Sequence, residues 1–292
     1  MTSGKARWNG TEFRRKNARD ARYRRKTRDG VKMEKSKNLS SLPSTCSGQA
    51  TRLSSKLFWP ALIVAFAVAL SLILWSGRPE KMSYRAMACA FEERSPSCLD
   101  SIRDWHEGLA YFDSSIAATH DTLNSLKNLL WKFWNIEFAG AGEASVAKDA
   151  VLPLRVLANR KSGCMGLSWL ALMVAEVRDL QLDAVLLPGH VFLRYNSANG
   201  STNLEPNRRG FSYTDEEYRE KYKDGNWTGL EFRPLEPQEF IGLAAFDIGN
   251  LYLENDLRRA LTWYRMAEEF FPTYPGIRAN QLIAKSRLPD SM

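Results

Sequence analysis

Leu157-Ala-Asn-Arg-Lys-Ser-Gly163-Cys164-Met165-Gly166-Leu167-Ser168 is a polar turn with glycine on either side of a cysteine, and the chain then runs almost wholly apolar to Val177. That pattern predicts a loop delivering Cys164 to the first turn of a buried helix. Two short β-prone runs follow, Leu182 to Leu187 and His190 to Tyr195, separated by Pro188-Gly189; a third runs from Ser201 to Glu205, after Asn199-Gly200. Helix followed by antiparallel strands is the expected plan. A thiol at a helix N-terminus feels unpaired N–H groups and the positive end of the macrodipole, which favour thiolate over thiol. Taken singly, a cysteine opening an apolar helix is more often a small buried residue than a nucleophile.

A nucleophile there needs a base, and the chain holds three histidines, His106, His120 and His190. His190 alone follows a Pro-Gly break at a strand start, with a carboxylate, Glu205, on the next strand. If Tyr195 pairs with Gly200, leaving 196–199 as a loop, His190 lies directly across from Glu205. Cross-strand neighbours on one face have Cβ atoms about 5 Å apart, close enough for a carboxylate to orient an imidazole. A tight Asn199-Gly200 turn would instead set His190 opposite Arg209. Asn203, two residues before Glu205 and on the same face, is the alternative third group.

These residues resemble the bacterial transglutaminase-like superfamily, whose papain-like core orders its triad as Cys, His, then an acid. The resemblance rests on Gly163-Cys164-Met165-Gly166-Leu167-Ser168, on Leu187-Pro188-Gly189-His190-Val191-Phe192-Leu193-Arg194-Tyr195 and on Asn203-Leu204-Glu205-Pro206. It implies Cys164 as nucleophile, His190 as general base and Glu205 as orienting acid. The sequence departs from the better-studied transglutaminases at Met165, where tryptophan is common, and at Glu205, where Asp is usual.

The net charge of +8 is unevenly spread over the 292 residues. Residues 1–56 carry 16 Lys and Arg against 4 Asp and Glu, and residues 77–292 carry 25 against 29. The first segment has too few large apolar residues for a core and reads as a disordered basic arm. An anionic membrane surface is its expected partner; charge by itself also suits nucleic acid, which is not preferred. Leu57 to Trp75 is 19 residues without a charge, enough to reach across the roughly 30 Å of a hydrocarbon core, and predicts a transmembrane helix within 57–76. The basic excess of the arm places the N-terminus inside, so for a bacterial protein the expected localisation is single-pass in the inner membrane with a periplasmic body. Cys89 and Cys98 are near enough in sequence for a local disulfide in an oxidising compartment, leaving Cys164 as the functional thiol.

From Ser83 to Phe138 apolar residues recur every three or four positions, which predicts amphipathic helices on one core, Trp131 and Trp134 included. Ala147 to Ala158 reads as a further short helix. Asn207 to Gly229, with Tyr213, Tyr218 and Tyr222, is a polar loop with one helix from Thr214, N-capped with Glu217 three residues on; the segment reads equally as a substrate-binding wall or as a plain surface connection. Ala245, Gly249, Tyr252, Ala260, Tyr264, Ala267 and Pro272 resemble one tetratricopeptide unit, a helical hairpin that must dock on something because one repeat cannot bury both faces.

The expectation is thus an α+β protein: a basic arm (1–56), a transmembrane helix (57–76), a transglutaminase-like domain (77–236) and a tetratricopeptide-like helical segment (237–292). No cofactor is expected, and no metal, since no His, Cys or carboxylate cluster has ligand spacing. The reading is a cysteine peptidase or amidase, or an acyltransferase, acting on a protein or peptide. The alternative is a non-enzymatic adaptor that holds a peptide or protein partner in the same cleft.

Overall fold

A computed structural model describes residues 82–140, 142 and 147–288 of the chain. All of the described residues belong to one compact unit. It opens with α1 (Tyr84–Phe91), N-capped by the Ser83 hydroxyl, then α2 (Arg103–Thr119) and α3 (Thr122–Asn128), which runs into a π-helical turn at Leu129–Phe133. Trp131 and Trp134 are buried, and the Trp134 indole N–H donates to the Asp104 carbonyl at 3.0 Å. The expected helix over 147–158 is two, α4 (Lys148–Val151) and α5 (Pro153–Asn159). Pro153 is the cause: its ring excludes the helical region for the preceding residue, and Leu152 is extended at φ −84°, ψ 121°.

The central element is α6 (Cys164–Arg178), buried without interruption from Met165 to Ala175. A helix apolar on every side has to be covered on every side. One cover is an antiparallel sheet of β3 (Leu182–Leu187), β4 (His190–Ser197) and β5 (Gly200–Leu204), in that order. Leu182, Ala184, Leu186, Val191, Leu193 and Leu204 join the large core with α6, whereas Val185, Leu187 and Phe192 form a small second cluster with Tyr218 of α7 (Asp215–Lys221). A pair of two-residue strands, β1 (Glu137–Phe138) and β2 (Lys161–Ser162), runs parallel beside the entry to α6; pieces this short carry no periodicity in sequence. Helices α5, α4 and α1 also pack on α6, and the chain closes with α8 (Pro237–Tyr252), α9 (Leu257–Phe270) and α10 (Pro275–Arg287). Phe240 of α8 meets Tyr84 of α1 at 5.7 Å and Trp169 of α6 at 6.1 Å, while Trp263 of α9 meets Phe91 at 5.3 Å. The C-terminal helices therefore share the main core.

Gly166 permits the close approach of α6 to α4. A Cβ there would lie 2.2 Å from the Ala150 carbonyl oxygen and 2.8 Å from Val156 Cγ2. The same carbonyl accepts the Gly163 N–H at 3.1 Å, so it also holds the loop before Cys164. Gly166→Ala is expected to cost about 1–3 kcal/mol through overpacking, read as a lower urea midpoint; an unchanged midpoint would mean that α6 moves aside freely.

Among the described residues no helix is long and apolar enough to cross a membrane. The longest, α2, has 17 residues and carries Arg103, Asp104, Glu107 and Asp113. The 15 residues of α6 rise only about 22 Å at 1.5 Å each, against roughly 30 Å of hydrocarbon. The expected α+β fold with an N-terminal transmembrane helix, and the single-pass inner-membrane localisation that followed from it, are corrected to a mixed helix-and-sheet domain. The span expected at 57–76, the basic arm at 1–56 and Cys46 lie outside the described residues.

Candidate active site

The first residue of α6 is Cys164, half-buried and the free cysteine of the described residues, with Gly163 in extended backbone as its N-cap. The N–H groups of that first turn have no partner within the helix, and the positive end of the helix dipole falls there. Cys89 and Cys98 are joined in a disulfide that ties the end of α1 to the turn at Cys98–Ser101.

His190 is the first residue of β4. The Pro188-Gly189 turn before it has φ +63° at Gly189, the left-handed value that a type II turn asks of glycine after proline. Leu187 and His190 therefore pair across the hairpin. Glu205 follows the last residue of β5 and precedes Pro206, which keeps it extended at φ −80°, ψ 110°. Its backbone is fixed on both sides: its N–H donates to the Phe211 carbonyl at 2.9 Å, and its own carbonyl accepts from Gly210 at 3.0 Å.

The register between β4 and β5 is neither of the two considered from sequence. Ser197 pairs with Gly200 and Leu193 with Leu204, so by extension Glu205 falls opposite Phe192 and His190 lies one diagonal step away. Diagonal neighbours on one face are about 7–8 Å apart, within reach of long side chains. The His190 Nε2 and Glu205 Oε2 are 2.9 Å apart. With a carboxylate at Nε2, that nitrogen carries the proton and donates, and Cys164 is near enough to the ring to favour its protonated form. Asn203 is not brought to the imidazole. Its Oδ1 accepts from Arg194 Nε at 2.9 Å, and its Nδ2 donates to the Tyr213 carbonyl at 2.9 Å and to Asp215 Oδ1 at 2.8 Å. His106 bonds the Asp100 carbonyl at 3.1 Å and His120 is the left-handed C-cap of α2, so neither enters the site.

Glu205 is fully buried and each of its oxygens is occupied. Oε1 accepts the Asn207 N–H at 3.0 Å, and Oε2 accepts both His190 and the Tyr218 hydroxyl, the latter at 3.1 Å. Burial works against its charge, but the His190 hydrogen bond and charge, then the Asn207 N–H and the Tyr218 hydroxyl, hold the carboxyl below its usual range. For His190 burial opposes protonation, yet the Cys164 charge and hydrogen bond, followed by those of Glu205, win and push it up to about 9.

Two further residues shape the site. Tyr218 is the buried hydroxyl on Glu205, and Tyr222 stacks on the imidazole with ring centroids 5.6 Å apart and planes 9° from parallel. Burial first, then the Glu205 charge, pushes both phenols well above the ordinary range, so they stay neutral donors. The sequence alone gives these tyrosines no tie to the acid or the base. The available signal was their four-residue spacing on a helix with a capping box, which puts both on one side; the Thr214–Glu217 box is present. Among the described residues no group of three or more His, Cys, Asp or Glu is placed to hold a metal ion.

Compared with known families, residues 93–242 match the transglutaminase-like superfamily, 150 of the 292 positions. The match ends within α8, and the tetratricopeptide resemblance of the C-terminal segment is not confirmed by it. Neither the curated proteins nor the solved structures contain a significant match.

Proposed function

The chain belongs to the transglutaminase-like superfamily, and from that membership we propose that it is a cysteine hydrolase, a peptidase or amidase, acting on an amide carbonyl through Cys164. The observation that supports this most is the His190 ring bonded at 2.9 Å to a buried, fully bonded Glu205, with Cys164 at the start of α6 favouring the protonated form of the same ring. In this reading the Cys164 sulfur adds to the carbonyl carbon, and the oxyanion turns to the unpaired N–H groups of the first turn of α6. The imidazolium gives its proton to the leaving amine as the C–N bond breaks, leaving a thioester on Cys164. Water then attacks the thioester, His190 takes its proton, and the acid departs as the thiol is restored. Glu205 holds the ring with Nε2–H toward itself throughout. The helical hairpin of α8 and α9 serves, in the same reading, as a tetratricopeptide-like closure of the domain, and the partner it acts on is a protein or peptide.

Peptide pools digested in 18O-labelled water, with a labelled primary amine also present, distinguish the two outcomes of a thioester. Heavy oxygen at new C-termini, absent with Cys164→Ala, is the expected result. Amine incorporation that depends on Cys164 would reassign the protein to acyl transfer, and products identical with and without Cys164 would overturn the thiol mechanism.

A further inference from the structure

The large apolar side chains left exposed among the described residues are Phe133, Phe138, Phe211, Trp227, Leu282 and Ile283. One exposed aromatic needs no explanation. Phe138, Phe211 and Trp227, however, are each tied by backbone or indole to a segment that carries the site. Phe138, 44% exposed, pairs through β1 with Ser162, two residues before Cys164. Phe211, 52% exposed, supplies the carbonyl that accepts the Glu205 N–H at 2.9 Å. Trp227, 38% exposed, donates its indole N–H at 3.1 Å to the carbonyl of Tyr222, the ring stacked on His190. The nucleophile, the acid and the plate over the base thus each have an exposed aromatic ring mounted beside them.

Two of these rings, Phe211 and Trp227, are held in place. The Arg208 guanidinium lies 5.7 Å over Phe211 while its Nη1 donates to the Tyr213 hydroxyl. Trp227 stacks on Phe232 at 5.8 Å. A ring that is already positioned offers a large apolar area and loses little freedom when it is covered. Solvent-facing aromatics tied to the three segments that carry one candidate centre point to a binding surface rather than ordinary exposure.

We infer that the Cys164 site takes an extended peptide with a bulky apolar side chain, aromatic above all, beside the scissile amide, seated on Phe138 and Phe211. The inference rests on Cys164 being the nucleophile and names the substrate class of that site. Small amides and glycine-flanked bonds lack the area to cover these rings and react slowly.

The test compares two peptidyl chloromethyl ketones on the purified full chain, benzyloxycarbonyl-Gly-Phe and benzyloxycarbonyl-Gly-Gly, followed at the Cys164 peptide by mass spectrometry. In each the Cys164 sulfur displaces chloride to form a C–S bond, and the thiol proton leaves to solvent. Iodoacetamide on the same protein calibrates thiol reactivity. The Phe probe is expected to react at least about tenfold faster than the Gly probe, as burial of one aromatic side chain allows. Phe138→Ser with Phe211→Ser is expected to bring that ratio below about threefold, and Leu282→Ser on α10 to leave it unchanged. A ratio near one, or one indifferent to the two phenylalanines, overturns the inference while fast, His190-dependent iodoacetamide alkylation keeps the hydrolase reading. Slow alkylation indifferent to His190 overturns both.

Discussion

His190→Ala is expected to slow iodoacetamide alkylation of Cys164 at pH 7 by about ten- to thirtyfold. The size follows from the free thiol, which has a pKa near 8.5 and is only a few per cent thiolate at that pH. In the native protein the neighbouring imidazole, its proton affinity raised to about 9, is the base that takes the proton as the sulfur reacts. At pH 10, where an ordinary thiol is itself ionised, the two proteins should converge. His190→Gln, which keeps a donor toward Glu205, separates loss of the base from local collapse: a slow thiol in both variants with an unchanged urea midpoint assigns the effect to the imidazole. Equal rates for variant and native protein at pH 7 would dismiss the dyad. On turnover of an amide the same replacement is expected to cost about 10²–10⁴-fold, the usual contribution of a positioned acid–base group.

Glu205→Ala carries the second large effect, on stability. The replacement strands three donors that now converge on one buried carboxylate: His190 Nε2, the Tyr218 hydroxyl and the Asn207 N–H. Removing one partner of a buried charged pair costs about 3–5 kcal/mol, whereas Tyr218→Phe, which removes a single hydroxyl bond, is expected to cost about 1 kcal/mol. Urea midpoints across pH add a signature that packing by itself does not produce. His190 binds its proton more tightly folded than unfolded, so its contribution is full below its ordinary value of 6.5 and is lost as the pH rises through about 9. Glu205 is shifted the other way, so its contribution is full above its ordinary value of 4.5 and is lost as the pH falls through its lowered folded value. Both act fully between 4.5 and 6.5, which is where the gap between native protein and Glu205→Ala is expected to be widest. A gap constant from pH 4 to 10 would mean that the cost is one of volume and not of charge.

Sequence reasoning reached far where the signal is local. The apolar run after Cys164 can only be a covered helix, and Pro188-Gly189 between two β-prone runs can only be a hairpin, whose first strand is found at Leu182–Leu187 as read. It failed at long range. Neither of the two expected connections between β4 and β5 is used, because a loop two residues longer, or a two-residue turn set one position along, leaves the local propensities unchanged while every cross-strand partner moves. Pro153 divides the helix expected over 147–158, because its ring holds Leu152 out of the helical region. Tyr218 and Tyr222 stood on one helical face, but no sequence pattern says which strand that face will cover.

By itself the sequence determined the element types around the candidate site: a cysteine at a helix start, a histidine at a strand start and a glutamate held extended by the following proline. These follow from backbone sterics and side-chain period, which act over a few residues. Only the tertiary structure decided that Glu205 would reach His190 by a diagonal step, that Asn203 would be taken by Arg194, and that the Tyr218 hydroxyl would complete the buried carboxylate. Those outcomes depend on strand register and on α7 closing over the sheet, which are set by what the whole core can bury together and not by any segment on its own.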